Sequence, residues 1–301
     1  MTSCIRVVEC GGQGPRKVDV LDNTIIREEV RRWSELDGFK GLMSFAKADL
    51  STEPEAIIFS VAGTVEDHKR IVKSPNTLIP DDTYLGKTET EIPYFACNDM
   101  ESSSTGITEL FPHLTRRMDI TWSTGIGVRF CKDGQILSDS EAGHMKIDLS
   151  PFTPVCGCGQ RGCAEAIISG NAIDRFVAGQ VRLQGRGITG KTNLGAILDT
   201  AYNANENWAV RHYNEVIIQG MAVFLANIQT MMRLPAIVWK GSVAQNAFEN
   251  IPTLEADIRS EMRARMFNHE WVDEMKFHFL TCPKDHDAYI GAAKIAHRLI
   301  Q

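Results

Sequence analysis

The chain has 301 residues, 43% hydrophobic and 23% charged, the balance of a globular protein with a full core and length for two lobes. A formal net charge of -6 gives no basic field to hold nucleic acid, so nucleotide phosphates would be met by local donors and metal ions. The opening MTSCIRVVEC has no basic segment ahead of a long apolar run, and no 18 consecutive residues are apolar. Neither a signal peptide nor a membrane span is therefore expected, and the cytoplasm is the expected compartment.

In chain order, residues 5–10 predict a strand, 11–15 a glycine-rich turn, 17–21 the return strand and 24–30 a third. Apolar side chains at Phe39, Leu42, Met43, Phe45 and Ala46 have helical spacing within 39–50. Residues 56–61 and 93–97 are short, mostly apolar runs of the kind buried in parallel sheets, the second ending at Asn98-Asp99 before a further helix. This order suggests a mixed sheet covered by helices. A second lobe begins near Arg116, where 118–122, a glycine-rich turn and 127–131 repeat the strand, turn and strand opening, followed by 135–137. Helical patterns fill 195–233, residues 236–239 and 275–280 read as strands, and 288–299 closes the chain as a helix. A loop is expected over 185–191.

The densest local signal is His144 followed by Cys156, Cys158 and Cys163, with glycines between the sulfurs. Three thiolates and one imidazole form a closed tetrahedral set, the usual form of structural zinc. A disulfide within Cys-x-Cys would be strained. The alternative is a loop of reduced cysteines. Cys4, Cys10, Cys97, Cys131 and Cys282 are scattered through strand-like segments and read as core thiols.

Glu141-Ala-Gly-His144, then the run from Cys156 to Glu165 and Ser169-Gly170, resembles the signature of the ROK proteins. That group contains bacterial hexose and amino-sugar kinases, resembling here the glucokinase and N-acylmannosamine kinase members, and sugar-sensing repressors. Weaker likenesses run along the chain: residues 61–66, Ser74-Pro75-Asn76, Asn98-Asp99, residues 123–127 and residues 290–293. The resemblance implies an α/β, actin-like ATPase (ribonuclease H-like) fold of two lobes with an interlobe cleft. The N-terminal lobe would be 1–115 closed by the helix 286–301, and the C-terminal lobe 116–285 with a zinc-binding insert at 144–163. It further implies a homodimer that uses ATP with Mg2+.

The same resemblance gives residues their roles. Asp99 would be the base that accepts the hydroxyl proton in phosphoryl transfer; from its place at a helix start alone, it is equally an N-cap. Gly63, Asn76, Asn98, Asp99, Glu141, His144 and Glu165 would bind the sugar, with one ring nitrogen of His144 on zinc and the other toward the sugar. With four protein ligands the zinc would be a scaffold with no open position. Glu9, Gly11, Gly12, Gln13, Thr124, Gly125, Gly127 and Gly241 would meet the nucleotide. The first phosphate loop departs from the family pattern, with Glu9 for an aspartate and Gln13 for a threonine, and Lys240-Gly241-Ser242 replaces a glycine cluster. The leading expectation is an ATP-dependent sugar kinase, and the second a sugar-binding protein without phosphoryl transfer. A repressor is not expected, because the strand at Ile5 leaves no length for a helix-turn-helix ahead of it.

Overall fold

A computed structural model describes residues 4–11, 14–48, 53–74, 77–86, 92–137, 140–185, 193–280 and 285–301. Gly12, Gln13, Asn76, Cys282 and all but the first residue of the expected 185–191 loop lie outside the described residues. The chain divides into two compact units: Met1–Thr115 with Gly134–Ile136 and Thr281–Gln301, and Arg116–Asp133 with Leu137–Leu280.

The first unit is built on β1 (Cys4–Gly11), β2 (Gly14–Leu21), β3 (Thr24–Val30), β4 (Ala56–Val61) and β8 (Tyr94–Asn98) in the order β3-β2-β1-β4-β8. The β1–β2 and β2–β3 pairs are antiparallel, and β1–β4 and β4–β8 parallel. Alternation of side chains sends Ile5, Val7, Ala56 and Ile58 to one face and Val8, Cys10, Ile57 and Phe59 to the other. Helix α1 (Gly38–Lys47) covers the second face with Leu42, Phe45 and Ala46. The C-terminal helix α11 (His286–Ile300) covers the first with Tyr289, Ala292 and Ala293. It crosses α2 (Asp99–Leu110) backbone to backbone, since a Cβ on Gly106 would sit 1.9 Å from Asp287 O and one on Gly291 1.7 Å from Ser102 O. A small sheet of β5 (Thr64–Glu66), β6 (Arg70–Lys73) and β7 (Thr83–Tyr84), absent from the sequence reading, lies between β4 and β8 in the chain.

The sheet also buries charge. Arg6, fully buried, donates Nε and Nη2 to both oxygens of Asp19 at 2.6 and 2.8 Å, and Nη1 to Ala46 O and Ala48 O at 3.2 and 3.1 Å. Lys17 Nζ donates to Phe45 O and Ala48 O at 3.3 and 3.1 Å. Two cations from the sheet thus occupy the carbonyls left over at the C-terminus of α1, where a helix favours positive charge.

The second unit contains β9 (Arg116–Trp122), β10 (Ile126–Lys132), β12 (Ala236–Lys240) and β13 (Lys276–Phe279), which with β11 (Gln135–Leu137), two of whose residues group with the first unit, form a sheet of order β11-β10-β9-β12-β13 that repeats the first strand order. Its helices are α3 (Ala164–Ile168), α4 (Gly170–Leu183), α5 (Leu194–Asn203), α6 (Asn207–His212), α7 (Gln219–Met232), α8 (Ser242–Asn250), α9 (Leu254–Arg263) and α10 (Glu270–Glu274). A π-helical turn, Tyr213–Ile218, joins α6 to α7. By length and composition alone the continuous helix Asn207–Met232 is long and apolar enough to cross a membrane. Ile217, Ile218, Met221, Phe224, Leu225 and Ile228 are instead core residues of this unit, so its apolar length is used in packing.

Candidate functional site

The β8–α2 junction shows how Asp99 is presented. Asn98 is the N-cap of α2: its Oδ1 accepts from the N–H of Met100 at 2.9 Å and of Glu101 at 3.2 Å. Asp99 is therefore the first helical residue, half-buried, with the capping task done by its neighbour. One Asp99 oxygen accepts from Met100 N at 2.9 Å. A carboxylate here lies in the favourable field of the helix N-terminus. Asn98 Nδ2 donates to Gly63 O at 2.8 Å, so the structure brings Gly63, Asn98 and Asp99 together.

Glu9 ends elsewhere than a free loop carboxylate would. Its Oε2 accepts from Tyr289 Oη at 3.1 Å and lies 3.8 Å from Arg16 Nη1, which in turn donates to Tyr289 Oη at 2.7 Å and to Asp285 at 3.2 Å. Burial and the Glu9 charge push the Tyr289 phenol well above its ordinary value, keeping it a neutral donor. Gly11 faces Gly14 across the end of the β1–β2 hairpin.

In the second unit, His144, Cys156, Cys158 and Cys163 converge, with all four ligand atoms within 4.8 Å of one another. Cys158 Sγ lies 3.7 Å from Cys163 Sγ and Cys156 Sγ 3.4 Å from His144 Nδ1. Tetrahedral zinc with bonds of ~2.3 Å to sulfur and ~2.0 Å to nitrogen would separate its ligands by ~3.5–3.8 Å, so the donor set fits the ion. The insert is drawn tight by antiparallel bridges between Lys146 and Cys163 and between Val155 and Arg161. Burial pushes the Cys163 thiol up to about 12, whereas the Gln160 N–H lowers Cys158. A cation among them would stabilise all three thiolates at once. With Nδ1 toward the sulfurs, His144 Nε2 points elsewhere, 4.0 Å from Glu141 Oε2.

Glu165, two residues past Cys163, joins this centre to the β9–β10 turn. Its Oε2 accepts from Ile126 N at 3.2 Å, and its Oε1 lies 3.8 Å from Cys156 Sγ. A Cβ on Gly125 would come within 2.5 Å of Glu165 Oε2, so the turn needs glycine for this carboxylate to dock. Gly127 sits inside β10 opposite Thr121, in the strand and not in the turn. Gly170 N and Asn171 N donate to Ser123 O and Thr124 O at 2.8 and 3.1 Å, which fixes the start of α4 against the same turn.

Beside it is a cavity of about 260 Å³ lined by Thr124, Asn171, Asn193, Asp199, Ser242 and Asn246, among others. Gly241 is the N-cap of α8, next to Ser242 at the cavity wall. Asp199 at its floor accepts from Tyr213 Oη and from Asn250 Nδ2, and burial pushes its carboxyl up. Of the residues the sequence suggested for the nucleotide, Thr124 lines this cavity and Gly241 adjoins it, and the asparagines were not among them. Each is an isolated polar residue on a different helix or loop, and only the fold gathers them.

A profile of the ROK family matches residues 39–299, and the chain belongs to that family. It is 29% identical over 154 residues to the N-acetylmannosamine kinase of Escherichia coli O157:H7, a match covering 48% of this chain and 53% of that protein. The chain thus spans about half the length of this curated relative. Among solved structures, the Lmo2764 protein of Listeria monocytogenes superposes with a TM-score of 0.80 at 18% identity, over 99% of this chain and 100% of the other. A ROK family glucokinase of Streptomyces griseus, in complex with glucose and AMPPNP, superposes with a TM-score of 0.75 at 18% identity, over 98% and 100%. The fold is that of the actin-like ATPases.

Proposed function

We propose that this protein transfers the γ-phosphoryl group of Mg-ATP to a hydroxyl of a hexose or N-acyl hexosamine, with Asp99 as the base. The observation that carries the reading is the division of labour at the β8–α2 junction, where Asn98 caps the helix and Asp99 is left at its first position. A base needs a carboxylate kept ionised and held still, and a helix N-terminus tied to Gly63 supplies both. Support for the substrate class comes from the family, from the named activity of the Escherichia coli relative and from the ligands of the Streptomyces griseus glucokinase.

Gly63, Asn76, Asn98, Glu141, His144 and Glu165 are the proposed sugar ligands. Thr124, Gly125 and Gly241, with the cavity beside them, are the proposed nucleotide contacts in the second unit, and Glu9, Gly11, Gly12 and Gln13 those in the first. His144, Cys156, Cys158 and Cys163 would hold zinc, which fixes the insert and aims His144 Nε2. A cytoplasmic homodimer without nucleic acid as partner completes the reading. The anchoring of Glu9 by Tyr289 and Arg16 favours a second one, sugar binding without transfer, because that carboxylate is already engaged. Incubation with Mg-ATP and a panel including N-acetylmannosamine and glucose, followed by ADP, separates the two. Sugar-dependent ADP release is expected; sugar binding without ADP release would favour the second.

A further inference from the structure

The β5–β6 connection carries a feature that hairpin formation does not explain. Glu66, Asp67, His68 and Lys69 form a two-residue turn closed by Lys69 N donating to Glu66 O at 3.0 Å, with φ of 50° at both Asp67 and His68. Two successive left-handed residues suit asparagine and glycine best, and histidine tolerates the conformation better than most side chains but at a cost that glycine does not carry. Strain of this kind persists where surrounding contacts hold it and clusters at functional sites.

Those contacts lead to β8, which ends one residue before Asp99, and to the first turn of α2. β8 is the edge of its sheet, so alternate backbone groups of Tyr94 and Ala96 face away from β4. Lys69 Nζ donates to Tyr94 O at 2.8 Å and sits 3.9 Å over the ring of Phe95. Ala96 N donates to His68 O at 2.9 Å, and the His68 imidazole meets Ala96 O through Nδ1 at 3.1 Å. A carbonyl can only accept, so Nδ1 carries the proton and the ring orientation is fixed. The other nitrogen, Nε2, faces Glu101 Oε1 at 3.6 Å, in the first turn of α2, a contact that is an ion pair when the ring carries its second proton. One imidazole thus touches the strand three residues before Asp99 and the helix two residues after it.

We infer that His68 is a positioning residue for Asp99: it clamps the end of β8 to the first turn of α2 and so holds the carboxylate at one place relative to the hydroxyl. The inference rests on the kinase reading, with Asp99 as base. His68→Gly is the test, because glycine suits the turn and removes only the imidazole. The expected result is an unchanged or raised Tm, sugar and ATP KM values within about 2-fold, and kcat lowered ~10-fold, a loss of the size small misplacement of a catalytic group produces. Asparagine tolerates the left-handed conformation and carries an N–H for Ala96 O, so His68→Asn should recover kcat to within about 3-fold of wild type. Wild-type kcat in His68→Gly overturns the inference, as does a kcat loss that follows a fall in Tm or that His68→Asn does not relieve. Asp99→Asn run alongside separates the two levels. If it is inactive while His68→Gly is unaffected, only the role of His68 falls. If Asp99→Asn turns over normally, or wild type phosphorylates no sugar, the kinase reading falls and this inference with it.

Discussion

Cys158 is the exposed member of its cluster, and its sulfur 3.7 Å from Cys163 closes one edge of the proposed tetrahedron. Cys158→Ala should drop the metal from about one zinc per chain to well below that, and should weaken sugar binding because His144 loses its orientation. Metal analysis with calorimetry of sugar binding checks both; zinc-free protein with unchanged sugar affinity would refute the scaffold role. Gly125→Ala probes the neighbouring contact. The new methyl would displace the end of the Glu165 side chain from Ile126 N, so sugar affinity should fall by roughly 10-fold, as for one lost hydrogen bond to a charged group, with Tm little changed. The cysteine and histidine spacing was readable because metal ligands are few in type and close in sequence. The Glu165 contact was not, since Ile126 is 39 positions away and nothing local marks its N–H as a partner.

At the scale of elements, buried charge is what ties helix to sheet. Asp19→Ala would leave the fully buried Arg6 guanidinium without its carboxylate, and urea unfolding should show a loss of about 3–5 kcal/mol. The helix pair around the π-helical turn has its own titrating group. His212 stacks on Phe176 with ring centroids 3.6 Å apart, its Nε2 has no partner among the described residues, and burial lowers it to about 4 from 6.5. The folded protein keeps the imidazole neutral while the unfolded chain protonates it near pH 6.5, so stability is full above that pH. It declines as pH falls toward 4, by up to about 3 kcal/mol. Thermal melts from pH 7 to 4.5 should show this decline in wild type and a smaller one in His212→Gln. Strands β4 and β12 were legible as short, nearly continuous apolar runs, whereas β1 and β9 also carry charges (Arg6 and Glu9; Arg116, Arg117 and Asp119) and were read from their remaining apolar residues and the turns that follow them. Helix α4 was overlooked although Ile173, Val177 and Val181 recur at its buried face. The β5–β6–β7 sheet could not be read, for its strands are two to four residues long and largely polar.

At the scale of the whole chain, the recurrence of one strand order in the two five-stranded sheets was visible in outline as a repeated strand, turn and strand opening. The return of α11 to the first unit depends on pairing across nearly the full length of the sequence, between Gly291 and Ser102 and between Arg16 and Tyr289, and only the family resemblance suggested it. What the molecule does with this frame turns on one carboxylate. Asp99→Asn keeps size and shape but cannot accept the hydroxyl proton. The direct measurement is sugar-dependent turnover of Mg-ATP by this variant, with sugar binding followed in the same preparations. The account predicts retained sugar binding and a kcat at least ~10²-fold below wild type, the lower range for loss of a positioned base. A kcat within a few-fold of wild type would contradict it.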